Sequence, residues 1–229
     1  DTVVLALPRG GVVVGFEIAS ALGLPLDIIV SRKIGSPDNP EYAIGAITEA
    51  GDFITDPEIT RHLDKSRTFP RGIEPTRKRL AEYPFIPRGN PPAGGAGYSG
   101  KVRDKIWLQH ALEIEKQEAA RRKALYRTGP AIDLTGKIAL LVDDGIATGY
   151  TIKAAIKSAR AFGVKKIIIA IPHGPPDIIK ELHTMADEIV VLETPAVYFA
   201  VAAHYAEFPE VNDDEVIKLL RMSQQAKAQ

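Results

Sequence analysis

Short apolar runs that alternate with helical periodicity constrain the fold of this chain more than any other feature. Each run is too short for a helix and too continuous for a half-exposed strand, which is typical of buried parallel strands. The runs, rich in Val, Ile and Leu, span about 3–7, 27–31, 138–142, 167–171 and 188–192. Segments with helical spacing lie at about 12–22, 151–162, 175–184 and 213–224. We therefore predict an α/β fold with a doubly wound, mainly parallel sheet and helices on both faces.

The length and the distribution of proline and glycine predict the domain organisation. With 229 residues, the chain is long enough for one α/β domain with an elaboration, so we expect a single domain over 1–229. A Pro- and Gly-rich stretch at 52–103 interrupts the strand-helix rhythm, and we interpret it as an insertion and a candidate mobile lid. We expect a small hood and a helix at 194–229. Whether a native N-terminal segment precedes Asp1 is left open.

The charge balance and the amino-acid usage exclude several classes of function. The 29 basic and 29 acidic side chains cancel, so no overall field attracts nucleic acid or an anionic membrane. The apolar runs fall far short of the roughly 20 residues that a membrane helix needs. The chain has no cysteine, which excludes disulfides, thiolate metal sites and cysteine nucleophiles and fits a reducing compartment. We expect a cytoplasmic protein that binds small molecules.

The strongest motif follows the apolar run at 138–142, where Asp143 and Asp144 precede a glycine-containing loop that opens a helix. Its glycines permit tight turns, and amides at a helix start bind phosphate oxygens. Adjacent carboxylates can accept hydrogen bonds from vicinal ribose hydroxyls or hold Mg²⁺ through water. An ordinary Asp-Asp-Gly turn with a plain helix entry is the alternative. The phosphate-binding candidates are Gly145, Ile146, Ala147, Thr148, Gly149, Tyr150 and Thr151.

Two further loops suited to anions follow the first two apolar runs. Pro8-Arg9-Gly10-Gly11 combines flexible main-chain amides with one guanidinium, although this pattern is also an ordinary turn. Arg32-Lys33 places two cations at a strand end, where burial is costly unless an anion is present; a solvent-exposed basic pair is the alternative. Three such loops at three strand ends of one sheet favour a common anionic ligand.

These motifs resemble those of the type I phosphoribosyltransferases. The segment Leu140 to Thr151 is similar to the family's signature for 5-phosphoribosyl 1-pyrophosphate (PRPP), and the Pro-Arg-Gly-Gly loop is similar to its pyrophosphate loop. A bacterial and archaeal subgroup combines these two motifs with Arg-Lys-x-Gly-x-Pro-x-Asn-Pro-Glu, as this chain does. The resemblance implies that Asp143 and Asp144 contact the ribose and that 145–151 hold the 5-phosphate. The residues implied near the pyrophosphate are Arg9, Gly10, Gly11, Arg32 and Lys33.

The resemblance also implies a reaction, the transfer of the phosphoribosyl group from PRPP to a nitrogenous base with release of pyrophosphate. Mg²⁺ is the implied cofactor, held at Asp143 and Asp144 through ribose hydroxyls or water, and a homodimer is the implied assembly. The implied catalytic residues are Asp143, Asp144, Arg9 and Lys33. A domain of the same fold that senses PRPP or a nucleotide without turnover is the alternative.

The acceptor base is less constrained than the PRPP site. Members of the family that act on 6-oxopurines carry an acidic residue where this chain has Ala147, which argues against guanine and hypoxanthine. Aromatic side chains near the end of the chain can stack on a planar base, although such spacing is more typical of core or dimer contacts. Neither His173 nor His204 has a carboxylate or a second histidine at metal-binding spacing, so no metal role is expected for them. The base-pocket candidates are Ile146, Pro172, His173, Tyr198 and Phe199.

Overall fold

The computed structural model describes residues 1–35, 43–55, 100–127 and 129–226, with the backbone alone for 100–107. The strands are β1 (Thr2–Ala6), β2 (Leu26–Ile28), β3 (Arg32–Gly35), β4 (Ala43–Ile47), β5 (Phe53–Thr55), β6 (Ile138–Val142), β7 (Lys166–His173) and β8 (Glu188–Glu193). The α-helices are α1 (Gly10–Leu22), α2 (Gly100–Tyr126), α3 (Tyr150–Ala161), α4 (Pro176–Leu182) and α5 (Asp213–Ala226). A 3₁₀ turn spans Val201–His204.

A five-stranded parallel sheet forms the centre of the fold, in the order β2-β1-β6-β7-β8. Alternate side chains of each strand enter different cores, as the pleat requires. Val3 and Leu5 of β1 pack with residues of α3 and α4, whereas Val4 and Ala6 pack with residues of α1, α2 and α5. Helices thus cover both faces, which confirms the predicted α/β class.

The strand order contains one reversal, between β1 and β6. From β1 the chain moves to β2 at one edge of the sheet, whereas β6, β7 and β8 follow one another from β1 toward the other edge. At such a reversal the connections leave the carboxyl ends of the two strands toward opposite faces and open a crevice, where ligands of doubly wound sheets bind. The loops that begin at Leu7 and Asp143 border this crevice.

A second, antiparallel sheet in the order β3-β4-β5 was not predicted. The run at 27–31 forms a strand only as far as Ile28, because Val30 donates its amide to Glu49 Oε2 and leaves the sheet. Arg32 and Lys33, predicted in a loop, therefore lie in β3. The ends of the insertion and candidate lid predicted at 52–103 are β5 and the first residues of α2, and the rest, 56–99, lies outside the described residues.

A buried ion network fixes the small sheet to the central one. The Glu49 side chain, 2% exposed, accepts from Lys123 Nζ at 2.8 Å and from Arg127 Nη1 at 3.1 Å. Arg127 also lies 3.4 Å from Asp27 of β2 and donates to the Ile28 carbonyl at 2.9 Å. Charges on α2 therefore contribute to internal packing as well as to a solvated face. In the described part of the chain, no helix is long and apolar enough to cross a membrane.

Candidate active site

Two of the predicted motifs meet at the carboxyl ends of β1 and β6. Leu7 donates its amide to the Val142 carbonyl at 2.9 Å and holds the two loops side by side. A Cβ atom on Gly11 would lie 2.9 Å from both Asp143 Cα and the Val142 oxygen, and one on Gly10 would overlap the Asp144 carboxyl group. Only glycine permits this approach, so the chain brings the main chain of one predicted anion loop directly against the acid pair.

Asp143 and Asp144 are held close together, and the described residues provide no compensating cation. Asp143 Oδ1 accepts from the Asp144 amide at 3.0 Å. Burial, with the neighbouring Asp144 charge adding to it, raises the pKa of Asp143 well above its usual value, and burial also raises the pKa of Asp144. Across the residues that the structure describes, neither carboxylate forms an ion pair. A ligand that brings positive charge or hydroxyl donors to this position would therefore be stabilised.

The donor set fits Mg²⁺ only in part. Carboxylate oxygens are the ligands that this ion prefers, and it usually retains waters or substrate oxygens besides one or two carboxylates. The described residues contain no group of three or more His, Cys, Asp or Glu side chains that could hold a metal. The acid pair could therefore contribute to a magnesium site that a ligand or water completes, as the sequence predicts.

The loop after the acid pair has the local structure of an anion site. Ile146 donates its amide to the His173 carbonyl at 3.1 Å, which ties the loop to the end of β7. Gly149 adopts φ 76°, a left-handed conformation that favours glycine, and α3 begins at the next residue without a side-chain cap. Since the first N–H groups of a helix have no partner within it, the start of α3 can donate to an oxyanion.

Aromatic side chains of the C-terminal segment cover the acid pair. Tyr205 donates its hydroxyl to the Asp144 carbonyl at 2.6 Å. His173 lies 2.9 Å from the Tyr198 hydroxyl through Nδ1, and its ring centroid is 4.8 Å from that of His204. We call His173, Tyr198, His204 and Tyr205 the hood cluster. Two of these four residues are among the base-pocket candidates that the sequence predicts.

One atom of the hood cluster lacks a partner. The His173 side chain belongs to a residue that is only 4% exposed, and its Nε2 atom has no hydrogen bond to any described residue. Burial, followed by the nearby His204, lowers the pKa of His173 and favours the neutral ring. Because an unpaired buried nitrogen is costly, Nε2 would gain a hydrogen bond from a ligand that reached it. Of the other base-pocket candidates, Ile146 is buried, Pro172 is partly buried and Phe199 is 88% exposed.

Two of the three predicted cations form ion pairs with carboxylates. Arg9 Nη2 lies 2.6 Å from Glu210 Oε1, and Arg32 Nε lies 2.8 Å from Glu115 Oε2. Lys33 is exposed on β3. Sequence reasoning missed Glu210, which is 201 residues from its partner and carries no local pattern that marks it.

A cavity of about 690 Å³ adjoins the outer side of the phosphate-loop candidates Thr148 and Tyr150. Its lining includes Lys153 of α3, Ile178 of α4 and Tyr198 of the C-terminal segment. Its size falls within the range of small-molecule sites, about 300–1,000 Å³. The loop thus has accessible space beside it as well as the crevice above β1 and β6.

Comparisons with known proteins identify a matching family model and a similar sequence. The family model described as "Phosphoribosyl transferase domain" matches residues 106–207. A Mycobacterium tuberculosis protein named "Putative phosphoribosyl transferase Rv0571c" is 39% identical over 220 residues, which cover 95% of this chain and 41% of that protein. The chain therefore spans less than half the length of this curated relative.

A more distant sequence match and a match to a solved structure cover different shares of the chain. A ribose-phosphate pyrophosphokinase of Saccharolobus solfataricus is 28% identical over 96 residues, or 42% of this chain and 32% of that enzyme. The crystal structure of TT1426 from Thermus thermophilus aligns with a TM-score of 0.65 and 31% identity, over 96% of this chain and 86% of that one. The match to TT1426 shows that the two proteins share a fold over nearly the whole of this chain.

Proposed function

This chain belongs to the phosphoribosyl transferase domain family, and from that premise we propose that it transfers the 5-phosphoribosyl group of PRPP to a nitrogenous base with release of pyrophosphate. The observation that carries the proposal is the contact between two motifs at the strand reversal. Gly10 and Gly11 lie against Asp144 and Asp143 so closely that a Cβ atom has no room. An anion-binding main chain beside two carboxylates suits a ligand that carries both phosphate groups and hydroxyl groups.

Each part of PRPP has a proposed position. Asp143 and Asp144 accept hydrogen bonds from the ribose hydroxyls, and the residues from Gly145 to Thr151 hold the 5-phosphate with the start of α3. The pyrophosphate lies against the amides of Gly10 and Gly11 beside Arg9, with Arg32 and Lys33 as further candidates. Mg²⁺, when bound, would neutralise charge on the departing pyrophosphate.

The chemistry requires positioning and charge stabilisation rather than a covalent nucleophile. The bond from the ribose carbon to pyrophosphate breaks, the ribosyl centre passes through an oxocarbenium-like state, and a nitrogen of the base attacks from the opposite side. The acid pair fixes the ribose during this change, and Arg9 or Lys33 stabilises the departing charge. We propose Ile146, Pro172, His173, Tyr198 and Phe199 as the base pocket, and a cytoplasmic homodimer as the working assembly.

Calorimetric titration with PRPP and Mg²⁺ tests the donor site. We expect wild type to bind and the Asp143→Asn, Asp144→Asn double variant to bind at least tenfold more weakly. Each Asn keeps an acceptor oxygen but loses the charge, and a hydrogen bond to a charged group is worth about 1 kcal/mol more than one to a neutral group. Asp133→Asn, which removes one carboxylate from an exposed turn, is the control and should bind as wild type does. Absence of binding to wild type, or equal binding by the double variant, would contradict the site.

A second measurement separates transfer from sensing. Purified protein is incubated with PRPP, Mg²⁺ and a panel of purines, pyrimidines and small azoles while pyrophosphate release is followed. Release with at least one base supports the transferase, and Ala147 predicts that guanine and hypoxanthine are poor acceptors. Tight PRPP binding with no release across the panel would instead favour a domain that senses PRPP.

A further inference from the structure

The guanidinium of Arg9 is occupied by the C-terminal segment. Its Nη2 atom lies 2.6 Å from Glu210 Oε1, and its Nη1 atom lies 3.7 Å from Asp213 Oδ1. Arg9 immediately precedes Gly10, whose backbone lies against the Asp144 carboxyl group. Arg9, which the sequence predicts as a ligand of the diphosphate, is therefore paired with carboxylates of the protein itself.

The two carboxylates differ in how firmly they are held. Asp213 accepts from the Tyr126 hydroxyl at 2.5 Å and from Arg121 at 3.1 Å, and these bonds, the tyrosine first, lower the pKa of Asp213. The Glu210 side chain is 83% exposed, and in the described part of the chain Arg9 is its only ion-pair partner. Asp213 is thus a fixed anchor, whereas Glu210 can leave Arg9 without breaking another ion pair.

We propose that Glu210 is a positioning residue that holds the Arg9 guanidinium in the ligand-free protein and competes with a diphosphate group for it. The inference rests on the proposed function for the identity of the diphosphate as part of PRPP or as released pyrophosphate. A diphosphate offers more charge and more acceptor oxygens than one carboxylate, so it displaces Glu210 while Asp213 keeps Arg9 near the site. Return of Glu210 to Arg9 then favours release of the diphosphate.

Titration with inorganic pyrophosphate and Mg²⁺ measures this competition directly. We expect Glu210→Gln to bind pyrophosphate about two- to fivefold more tightly than wild type, the factor that corresponds to loss of an exposed ion pair. Glu207→Gln removes the same charge from the same segment and is the control for the general field. The difference between the two variants should shrink at high salt, because the competing pair is exposed. Melting temperatures should agree, which a purely structural role for Glu210 would not predict.

The Arg9→Met background identifies the partner of Glu210. In that background, Glu210→Gln should change the pyrophosphate affinity no more than Glu207→Gln does. An equal effect of the two glutamate variants in wild type, a Glu210 effect that survives Arg9→Met, or no pyrophosphate binding by any variant would overturn the inference. If PRPP fails to bind while the Glu210 effect on pyrophosphate persists, the proposed function fails and the competition for Arg9 stands.

Discussion

Replacement of Gly11 by alanine tests whether the approach of the glycine loop to the acid pair is needed for binding. The added Cβ would lie 2.9 Å from Asp143 Cα and from the Val142 oxygen, both main-chain atoms at the end of β6. Ordinary contacts of this kind are about 3.5–4.0 Å, so the loop must move away by roughly 0.6 Å or more. Displacement of this size at a site whose groups act through position weakens ligand binding, and we expect at least a tenfold loss of PRPP affinity.

Gly15→Ala is the matched control. Gly15 lies in the same helix as Gly11 and is as closely packed, but it does not border the crevice. Its Cβ would lie 2.8 Å from the Ala6 side chain. Overpacking costs about 1–3 kcal/mol; from the middle of that range, about 2 kcal/mol, the better helix propensity of alanine removes up to about 1 kcal/mol, which leaves a loss of about 1–2 kcal/mol for each variant. For a chain of this size that loss lowers the melting temperature by about 2–8 °C.

Differential scanning fluorimetry and calorimetry with PRPP separate the two effects. Both variants should melt earlier, and only Gly11→Ala should lose PRPP affinity beyond about twofold. Gly129→Ala, where the added Cβ meets nothing within 4 Å, should match wild type in both assays. The reasoning is refuted if Gly11→Ala binds PRPP as Gly15→Ala does, because the close approach would then serve packing alone.

Three further variants test the charges and the hood cluster. The pKa of Asp143 is higher in the folded state than in the unfolded state, where it is near 4, so the folded state loses stability as the pH rises from the unfolded pKa through the folded pKa. Asp143→Asn should therefore raise the free energy of unfolding, measured by urea titration, at about pH 8 but not at about pH 4. Glu49→Ala should lower the free energy of unfolding by about 2–4 kcal/mol in the same assay, since it leaves Arg127 only Asp27 as an ionic partner among the described residues. An unchanged free energy of unfolding would show that the ion network does not stabilise the fold. His173→Phe removes both the unpaired Nε2 atom and the Nδ1 contact with the Tyr198 hydroxyl. It should therefore lower the melting temperature by a few degrees, as expected for one lost hydrogen bond of about 1 kcal/mol, and raise the KM for the acceptor base at saturating PRPP.

Local sequence signals predicted the central sheet and the loops at its reversal. The buried run at 138–142 and the following Asp143-Asp144 pair are contiguous in sequence, so composition alone marked the strand, its end and the helix start at Tyr150. The position of this motif beside Gly10 and Gly11 is expected because ligand-binding loops of a doubly wound sheet lie together at the carboxyl ends of its strands. These features depend on interactions within about a dozen residues, or on topology that the alternation of elements itself specifies.

Features that depend on distant pairs were not predictable in the same way. Strand β4 has the sequence Ala-Ile-Gly-Ala-Ile, which carries a weak strand signal because glycine and alanine have low β propensity. The departure of the chain from the central sheet after Ile28 depends on Glu49, which is buried only because Lys123 and Arg127 approach it from the end of α2. No window of sequence contains these partners together, and the same holds for Arg9 and Glu210.

The two ends of the crevice differ in how the protein compensates their charges. Asp143 and Asp144 have no cation partner in the described residues, whereas Arg9 is already paired with Glu210. A ligand that binds the acid pair displaces no cation of the described residues, so its binding keeps the whole interaction energy. A ligand that binds Arg9 must replace Glu210, so its binding keeps only the difference between the two interaction energies. If PRPP binds as proposed, the ribose end should therefore contribute more to its affinity than the Arg9 guanidinium does, and loss of the acid pair should weaken binding more than loss of Arg9.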